Sequence, residues 1–532
     1  MFACMYTIGL DFGNWYSYPC YIRGGGGDRL GSTPVDLIPF NQNSGYPTIF
    51  FYSDRAAEET RKRNERRGRP VMALPPWCCN DADKNYAVPM DNRIRCLKRH
   101  MGEPLVLDSL HTTYNDAITQ CIQYIVRAAN KVLAQEEPED PISNRISLAY
   151  PASFTAAQIR KLKECAEKAT IDDGTHVEVV GMIAEPAAAA LDYLTNKRDG
   201  QEDEVLVFDL GAGTLDVAIV EAFPGGRRRD DGSIYYYNVE VEDGLPDLGG
   251  SDFDKCMRSL IEEKLGAQAA SVNPDELAVQ PVSAKEALTD DDFYEGSFNA
   301  RGSYVSYEVT RDEFERAARP LMERATKKVR DLLDRFREHN GKMPGTLVLT
   351  GGASQMPMVR SALEAAIPEL ADRIAFFRPS RAIAYGAARY GTPYHGADHA
   401  GQAVQMHVRH DIGVRTTSSE SDREYIDTHI PAGASIPFEG DWKKYGTYND
   451  HQPAALLRVF EATADSPDLQ DIDGSYKFIM SVIIDFGRSV PKGTPCEARL
   501  LLDENYMLRI EARDLSCADK PLLHNEIQLR GV

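Results

Sequence analysis

The sequence predicts an α/β domain with a duplicated fold, followed by a C-terminal antiparallel β-sandwich. Three observations predict this fold class. Two apolar strands end in the same pattern of Asp, an apolar residue and Gly, first at Asp11 and again at Asp209. Strand-like runs then alternate with amphipathic helices up to about residue 390. After residue 411, short β-type runs recur at even spacing without a helical period, which is typical of a sandwich.

The composition limits the classes of molecule that this protein is expected to bind. The chain has 532 residues and a formal charge of −21, from 81 acids and 60 bases, which argues against a nucleic-acid backbone or an anionic membrane. No run of about 18 apolar residues is present, so we expect no membrane span. The N-terminus lacks a basic signal-peptide region, and the ten cysteines are scattered without a C-x-x-C pair. Free thiols in a reducing cytoplasm are therefore expected.

Three segments carry helix signals. From Tyr114 to Glu136, apolar residues recur at spacings of three and four, which predicts an amphipathic helix. Thr155 with Gln158, and Thr310 with Glu313, have the spacing of a capping box. The second of these boxes predicts the start of a long helix that reaches about residue 338.

The segment Val205 to Asp216, VLVFDLGAGTLD, contains the strongest chemical signal. Its unbroken apolar run predicts a strand that is buried on both faces. Gly211 and Gly213 can take positive φ, and such a turn directs successive N–H groups at phosphate oxygens. Asp209 and Asp216 would then hold a hydrated divalent cation. The alternative is an ordinary hairpin turn whose acids face solvent, and this segment alone does not separate the two.

Two further strand ends add candidate residues. Glu185 precedes Pro186, which suits the first turn of a helix and leaves the carboxylate facing a cleft. Gly351 and Gly352 follow a buried strand, and their backbone can pass close to a phosphate or a planar ring.

These motifs, in this order, resemble the DnaK-type 70-kilodalton heat-shock chaperones of the actin-like ATPase superfamily. The matching segments are GLDFG at 9–13, LKR at 97–99, AEPAAAAL at 184–191, FDLGAGTLD at 208–216, LGGSDFD at 248–254 and LVLTGGASQMPMV at 347–359. Residues 490–514 resemble the end of the β-sandwich peptide-binding domain of the family. The resemblance implies an actin-like nucleotide-binding domain with two lobes at 1–392, a linker at 393–411 and a sandwich at 412–532, with no helical lid expected.

The resemblance also implies a site for ATP or ADP and Mg²⁺. Five residues would act in catalysis, namely Asp11, Lys98, Glu185, Asp209 and Thr214. Asp11 and Asp209 would bind Mg²⁺ through water. The nucleotide would contact Gly13, Asn14, Gly211, Ala212, Gly213, Gly249, Gly250, Lys285, Gly351 and Gly352. In the sandwich, the floor of a peptide groove would comprise Val414, Thr416, Ala455 and Leu457.

The implied function is slow ATP hydrolysis coupled to the binding of extended peptide segments, with J-domain and nucleotide-exchange proteins as partners. Departures from the family favour an alternative, a degenerate nucleotide-binding scaffold with little or no turnover. Asn14 and Trp15 replace two threonines, Glu286 and Gln355 stand where the family has two arginines that sandwich adenine, and Ser380 replaces an acid. A filament-forming actin relative is a weaker interpretation, because that class has no reason to carry the sandwich.

Overall fold

The computed structural model describes residues 6–22, 34–39, 45–66, 76–83, 93–138, 142–197, 203–229, 232–300, 303–392, 404–418, 423–463, 472–503, 507–517 and 523–525. The chain divides into two compact units. The first unit contains Met1–Ser153 and Lys161–Val404, and the second contains Phe154–Arg160 and Gln405–Val532. Among the described residues, no helix is long and apolar enough to cross a membrane.

The strands up to residue 376 are short and mostly buried. In chain order they are β1 (Ile8–Asp11), β2 (Tyr16–Ile22), β3 (Pro34–Asp36), β4 (Tyr46–Pro47), β5 (Phe50–Phe51), β6 (Trp77–Cys78), β7 (Arg93–Ile94), β8 (Pro104–Leu107), β9 (Leu110–Thr113), β10 (Arg145–Tyr150), β11 (Glu178–Ala184), β12 (Asp203–Leu210), β13 (Leu215–Arg228), β14 (Ile234–Leu245), β15 (Phe293–Ala300), β16 (Ser303–Thr310), β17 (Thr346–Thr350) and β18 (Ile374–Phe376).

The helices of the same part of the chain are α1 (Asp54–Arg66), α2 (Cys79–Asp83), α3 (Tyr114–Glu136), α4 (Ala156–Lys168), α5 (Glu185–Asn196), α6 (Gly250–Leu265), α7 (Pro274–Asp290), α8 (Arg311–Asn340), α9 (Pro357–Ala366) and α10 (Ala382–Tyr390). Short 3₁₀ helices cover Leu97–His100, Gly266–Ser271, Gly352–Gln355 and Pro368–Arg373.

Two mixed sheets organise the first unit. One has the order β11-β10-β1-β2-β3, and the other contains β18-β17-β12-β13-β14. In each sheet a strand that carries an Asp-x-Gly turn pairs antiparallel with the next strand and parallel with a later one: β1 with β2 and β10, and β12 with β13 and β17. The unit is therefore α/β with mixed sheets. The shared pairing pattern agrees with the duplication that the sequence predicts, which stays a prediction.

The predicted helix signals are confirmed. Helix α3 spans Tyr114–Glu136, and α8 begins after Thr310 with a capping box to Glu313 and continues to Asn340. Thr155 and Gln158 exchange hydrogen bonds at the start of α4. These helices form where the sequence predicts them because periodicity and caps are local properties of the chain.

A large apolar core holds β12, the strand that carries the second Asp-x-Gly motif. Leu206, Phe208 and Leu349 of β12 and β17 pack with Phe253 of α6 and Val329 of α8, and all five are fully buried. Burial of β12 on both faces explains its unbroken apolar sequence. The turn at its end is consequently held on a rigid base.

The second unit contains two antiparallel sheets. Its strands are β19 (Val404–His407, whose first residue belongs to the first unit), β20 (Ile412–Thr417), β21 (Glu424–Ile430), β22 (Ser435–Ile436), β23 (Phe438–Glu439), β24 (Lys443–Gly446), β25 (Gln452–Ala462), β26 (Tyr476–Val490), β27 (Pro495–Leu502), β28 (Leu508–Asp514) and β29 (Leu523–Asn525), with a short helix α11 (Ile472–Ser475). One sheet has the order β21-β20-β25-β26, and the other has β23-β27-β28-β29 with β24 also paired to β27. The predicted antiparallel strands are present. Of the predicted linker, residues 393–403 lie outside the described residues.

Candidate nucleotide site

A cavity of about 390 Å³ lies within the first unit, where the predicted motifs meet. It is bordered by the residues after β1, β12 and β17, by the 3₁₀ helix at Leu97–His100, and by the starts of α5 and α6. Fourteen of the fifteen residues predicted for catalysis or nucleotide binding line it: Asp11, Gly13, Asn14, Lys98, Glu185, Asp209, Gly211, Ala212, Gly213, Thr214, Gly250, Lys285, Gly351 and Gly352. Gly249 does not. The roles of these residues stay predictions.

A buried ion pair lies at one end of the cavity. Lys98 and Glu185 are 3 % and 5 % exposed, and the Lys98 Nζ donates a hydrogen bond of 2.5 Å to Glu185 Oε1. Burial opposes the charge of Lys98, but Glu185 and Asp11 outweigh it and raise the pKa of the ammonium. Lys98 therefore remains a cation inside the cavity.

Three buried carboxyl groups surround this pair. Burial, followed by the nearby charge of Glu185, raises the pKa of Asp11 to about 7 and that of Asp216 to about 7. The same two causes raise the pKa of Asp209 well above its ordinary value. Ionised carboxylates packed so closely are unfavourable unless a cation joins them.

The carboxyl groups fit a hydrated divalent cation. Within the described residues, the buried Oδ1 atom of Asp209 has no hydrogen-bond partner. A carboxylate oxygen with no partner is the type of ligand that Mg²⁺ takes directly or through water. Asp216 lies apart from the cavity lining, where its Oδ1 accepts from the Ser153 N–H at 3.4 Å. Asp11 and Asp209 line the cavity and are therefore the better candidates for the ion.

The second turn, Gly211 to Thr214, is both a hairpin turn and a wall of the cavity. It joins the antiparallel strands β12 and β13, yet its flanking acids do not face solvent: Asp209 is 2 % exposed and Asp216 is fully buried. The alternative of a solvent-facing hairpin is therefore wrong about the acids. Gly211 and Gly213 can take positive φ, but neither glycine adopts it in the structure.

Close approach explains the glycines better than φ does. A Cβ at Gly213 would collide with the Asn14 side chain, so the second turn packs directly on the first turn, Phe12 to Trp15, which joins β1 and β2. A Cβ at Gly249 would lie 2.5 Å from the carbonyl carbon of Gly213. Gly249 therefore permits the contact between α6 and the second turn, although it does not line the cavity. Gly351 is the exception with positive φ, at 80°.

Backbone hydrogen bonds fix the second turn. The N–H groups of Gly250 and Ser251, at the start of α6, donate to the carbonyl oxygens of Gly211 and Ala212, both at 2.9 Å. These bonds satisfy N–H groups at the helix end that lack partners within the helix.

The other end of the cavity is lined by α7 and differs in character. Glu286 and Gln355 are exposed at this end, and Ser380 also lines the cavity. Lys285 pairs with Asp254 at 2.7 Å, so its charge is already neutralised. No arginine lines the cavity in the described part of the chain.

Sequence reasoning missed several contacts between distant residues. The Trp15 indole donates to Ser251, and Arg99 donates to the Gly213 carbonyl oxygen from Nε at 2.8 Å and to Asp252 at 2.7 Å. Arg99 follows Lys98 directly, so the LKR motif contained a signal for it. Ser251 offered no local signal, because its partner lies 236 residues away.

The predicted peptide-groove residues lie on one face of the four-stranded sheet of the second unit. Val414 and Leu457 are buried, at 0 % and 6 % exposure, whereas Thr416 and Ala455 are half-buried. Exposure therefore rises along the face from Val414 to Thr416 on β20, and from Leu457 to Ala455 on β25. Val414 and Leu457 therefore belong to the sandwich core, whereas Thr416 and Ala455 are accessible.

The chain belongs to the Hsp70 family, since the family model described as Hsp70 protein matches residues 84–521. Members of this family are ATPases and chaperones that bind client peptides and cochaperones. Among curated proteins, the chain is 28 % identical over 324 residues to the chaperone protein HscA homolog of Variovorax paradoxus (strain S110), an alignment that covers 60 % of this chain and 47 % of the relative.

Two further relatives are the chaperone protein HscA homologs of Acidovorax sp. (strain JS42) and Acidovorax ebreus (strain TPSY). Each is 26 % identical over 376 residues, which cover 69 % of this chain and 54 % of the relative. The chain thus spans about half the length of the curated relatives it matches.

Proposed function

We propose that this protein binds and slowly hydrolyses ATP with Mg²⁺, and that it binds extended peptide segments through its β-sandwich. The observation that carries the proposal is the convergence of Asp11, Lys98, Glu185 and Asp209 with two glycine turns on one cavity. Phosphoryl transfer requires little covalent chemistry from the protein, so positioning and charge supply most of the catalysis.

Each group has a role in this proposal. Asp11 and Asp209 would hold Mg²⁺ through water, and the ion would supply positive charge that neutralises phosphate oxygens. Lys98 presents a fixed positive charge to the phosphates, and Glu185 holds its ammonium in place. Thr214, which lines the cavity, orients a phosphate or the attacking water. The backbone of the second turn lines the same cavity and would contact the phosphate chain.

Phosphate release by the purified chain tests the enzymatic part. We expect Mg²⁺-dependent release of phosphate from ATP, with Asp209→Asn reducing the rate by at least 100-fold, because the carboxylate that orders the ion is removed. Asp331→Asn, which neutralises an exposed acid on α8, is the matched control and should leave the rate unchanged. A wild-type rate that does not depend on Mg²⁺, or equal rates for Asp209→Asn and wild type, would refute the enzymatic assignment.

A second candidate function is nucleotide binding with little or no turnover. The contact between Asn14 and Gly213 favours it, because this side chain occupies space between the two turns. Titration calorimetry with ATP and ADP separates the candidates: an enzyme distinguishes the two nucleotides, and a degenerate scaffold binds neither tightly or both equally.

The peptide-binding part rests on the increase in exposure from Leu457 to Ala455 along β25. Ala455→Trp should fill the open end of this face and weaken binding of a fluorescent apolar heptapeptide by at least tenfold, measured by anisotropy. Ala454→Trp is the control, since adjacent residues of a strand point to opposite faces. Equal affinities for the two variants would place the peptide elsewhere.

J-domain and exchange-factor partners, and a cytoplasmic location, complete the proposal. The location is supported by the nine free cysteines of the described residues, six of which are buried. Cell fractionation tests the location, and stimulation of phosphate release by a J-domain protein tests the partner.

A further inference from the structure

Trp15 links the first turn of the cavity to the helix that supports the second. It follows Asn14 directly, lines the cavity and is half-buried. Its indole Nε1 donates a hydrogen bond of 3.1 Å to Ser251 Oγ, the second residue of α6. An indole N–H is a donor with a single bond to give, so its partner fixes the ring orientation.

Ser251 is bonded to both turns at once. Its side chain accepts from Trp15 of the first turn, and its backbone N–H donates to the Ala212 carbonyl oxygen of the second turn at 2.9 Å. The path from Trp15 through Ser251 to Ala212 therefore sets the separation of the two turns. The packing of Asn14 on Gly213 adds a direct contact alongside it.

Arg95 contacts both the ring face and the backbone of Trp15. Its guanidinium carbon lies 4.5 Å from the ring centroid, within the range of a cation–π interaction, and its Nη1 donates to the Trp15 carbonyl oxygen at 3.2 Å. The ring and the backbone of Trp15 are thus both restrained. The Trp15 carbonyl oxygen also accepts from the Thr48 N–H at 2.8 Å. A residue held by four contacts serves to position its neighbours rather than only to fill space.

We propose that Trp15 is a positioning residue for the phosphate chain of a bound nucleotide. Through Ser251 it keeps the two turns close enough to contact the same phosphates, and the nucleotide leaves only after the indole–serine bond breaks. This inference rests on the proposed nucleotide site and adds to it the residue pair that controls release.

Two variants remove the bond in different ways. Trp15→Phe keeps an aromatic ring for Arg95 but has no N–H, and Ser251→Ala removes the acceptor but keeps the backbone N–H that holds Ala212. Each should raise the dissociation rate of fluorescently labelled ADP, measured by stopped flow with the full chain and Mg²⁺, by about two- to tenfold, as expected for one hydrogen bond. Ser251→Ala also removes the contact of its hydroxyl with Cys96 Sγ at 3.7 Å. The double variant should be no faster than Ser251→Ala alone, because Trp15→Phe removes a bond that Ser251→Ala has already removed.

A second readout separates positioning from a general loss of structure. Affinity for adenosine, which has no phosphates, should stay the same in both variants while affinity for ADP falls. Trp77→Phe is the control, since the ring centroid of Trp77 lies 5.4 Å from that of Phe51 and Trp77 does not line this cavity. This variant should change the affinity for neither adenosine nor ADP.

The outcomes are distinct. Unchanged ADP dissociation in both single variants, additive effects in the double variant, or equal losses for adenosine and ADP would each overturn the positioning role while the nucleotide site stands. If the wild-type chain binds no nucleotide, the proposed function fails together with this inference.

Discussion

The two ends of the cavity use charge in opposite ways. At the end that contains the Lys98–Glu185 pair, Asp11, Lys98, Glu185 and Asp209 are at most 8 % exposed, and their charges act on one another. At the α7 end, Glu286 is exposed, and Lys285 is already paired with Asp254. Charges act more strongly where water is excluded. We therefore expect the phosphates, rather than the base, to supply most of the binding free energy.

Breaking one ion pair at each end should give the largest difference in the free energy of unfolding between the two ends. Lys98→Met leaves Glu185 buried without a partner, which should lower the free energy of unfolding by about 3–5 kcal/mol. Lys285→Met breaks a pair whose side chains are 12 % and 14 % exposed, so the cost should be smaller, about 1–2 kcal/mol. Urea denaturation measures both.

The double variant Lys98→Met with Glu185→Leu controls for the lost charge of Lys98. It should recover most of the stability, because neither member of the pair is left buried without its partner, but none of the phosphate release. Equal losses of unfolding free energy for Lys98→Met and Lys285→Met would contradict the difference in burial between the two ends.

The pH dependence of stability should also differ between the ends. Burial raises the pKa of Asp216 to about 7, so the folded state holds this proton more tightly than the unfolded state. Its contribution to stability is complete below the unfolded pKa of about 4 and is lost as pH rises to 7. Asp216→Asn should remove this loss, so the variant gains roughly 2 kcal/mol relative to wild type between pH 5 and 7.

Asp254→Asn is the comparison at the α7 end, where Lys285 opposes the effect of burial on the pKa of Asp254. Between pH 5 and 7, Asp254→Asn should gain less stability than Asp216→Asn gains. Thermal and urea unfolding at several pH values measure both, and a flat difference curve for Asp216→Asn would show that this group does not titrate as described.

A ligand series compares the two ends directly. Removing the β-phosphate, from ADP to AMP, should weaken binding by at least tenfold, since charge-assisted contacts are lost. Replacing adenine with guanine should change affinity by less than about threefold, because no arginine of the described residues lines the cavity and Lys285 is paired with Asp254. Calorimetry with the same protein sample measures both ratios. A larger effect of the base than of the phosphate would reverse the comparison.

Much of the fold could be predicted from the sequence because its signals are local. The period of Tyr114–Glu136, the box at Thr310 and Glu313, and the apolar run of β12 each depend on residues a few positions apart. The motifs also identified fourteen of the residues that line the cavity. The backbone conformation at Gly211 and Gly213 could not be predicted, since an Asp-x-Gly motif does not specify φ.

By itself, the sequence determined the α/β unit, the antiparallel strands after residue 411, and the acids, lysine and glycines that meet at the cavity. Only the tertiary structure decided what those residues contact. The bond from Trp15 to Ser251, the packing of Asn14 on Gly213, and the pairing of Lys285 with Asp254 join residues that are distant in the chain. Such contacts depend on how sheets and helices pack, and local periodicity carries no information about that packing.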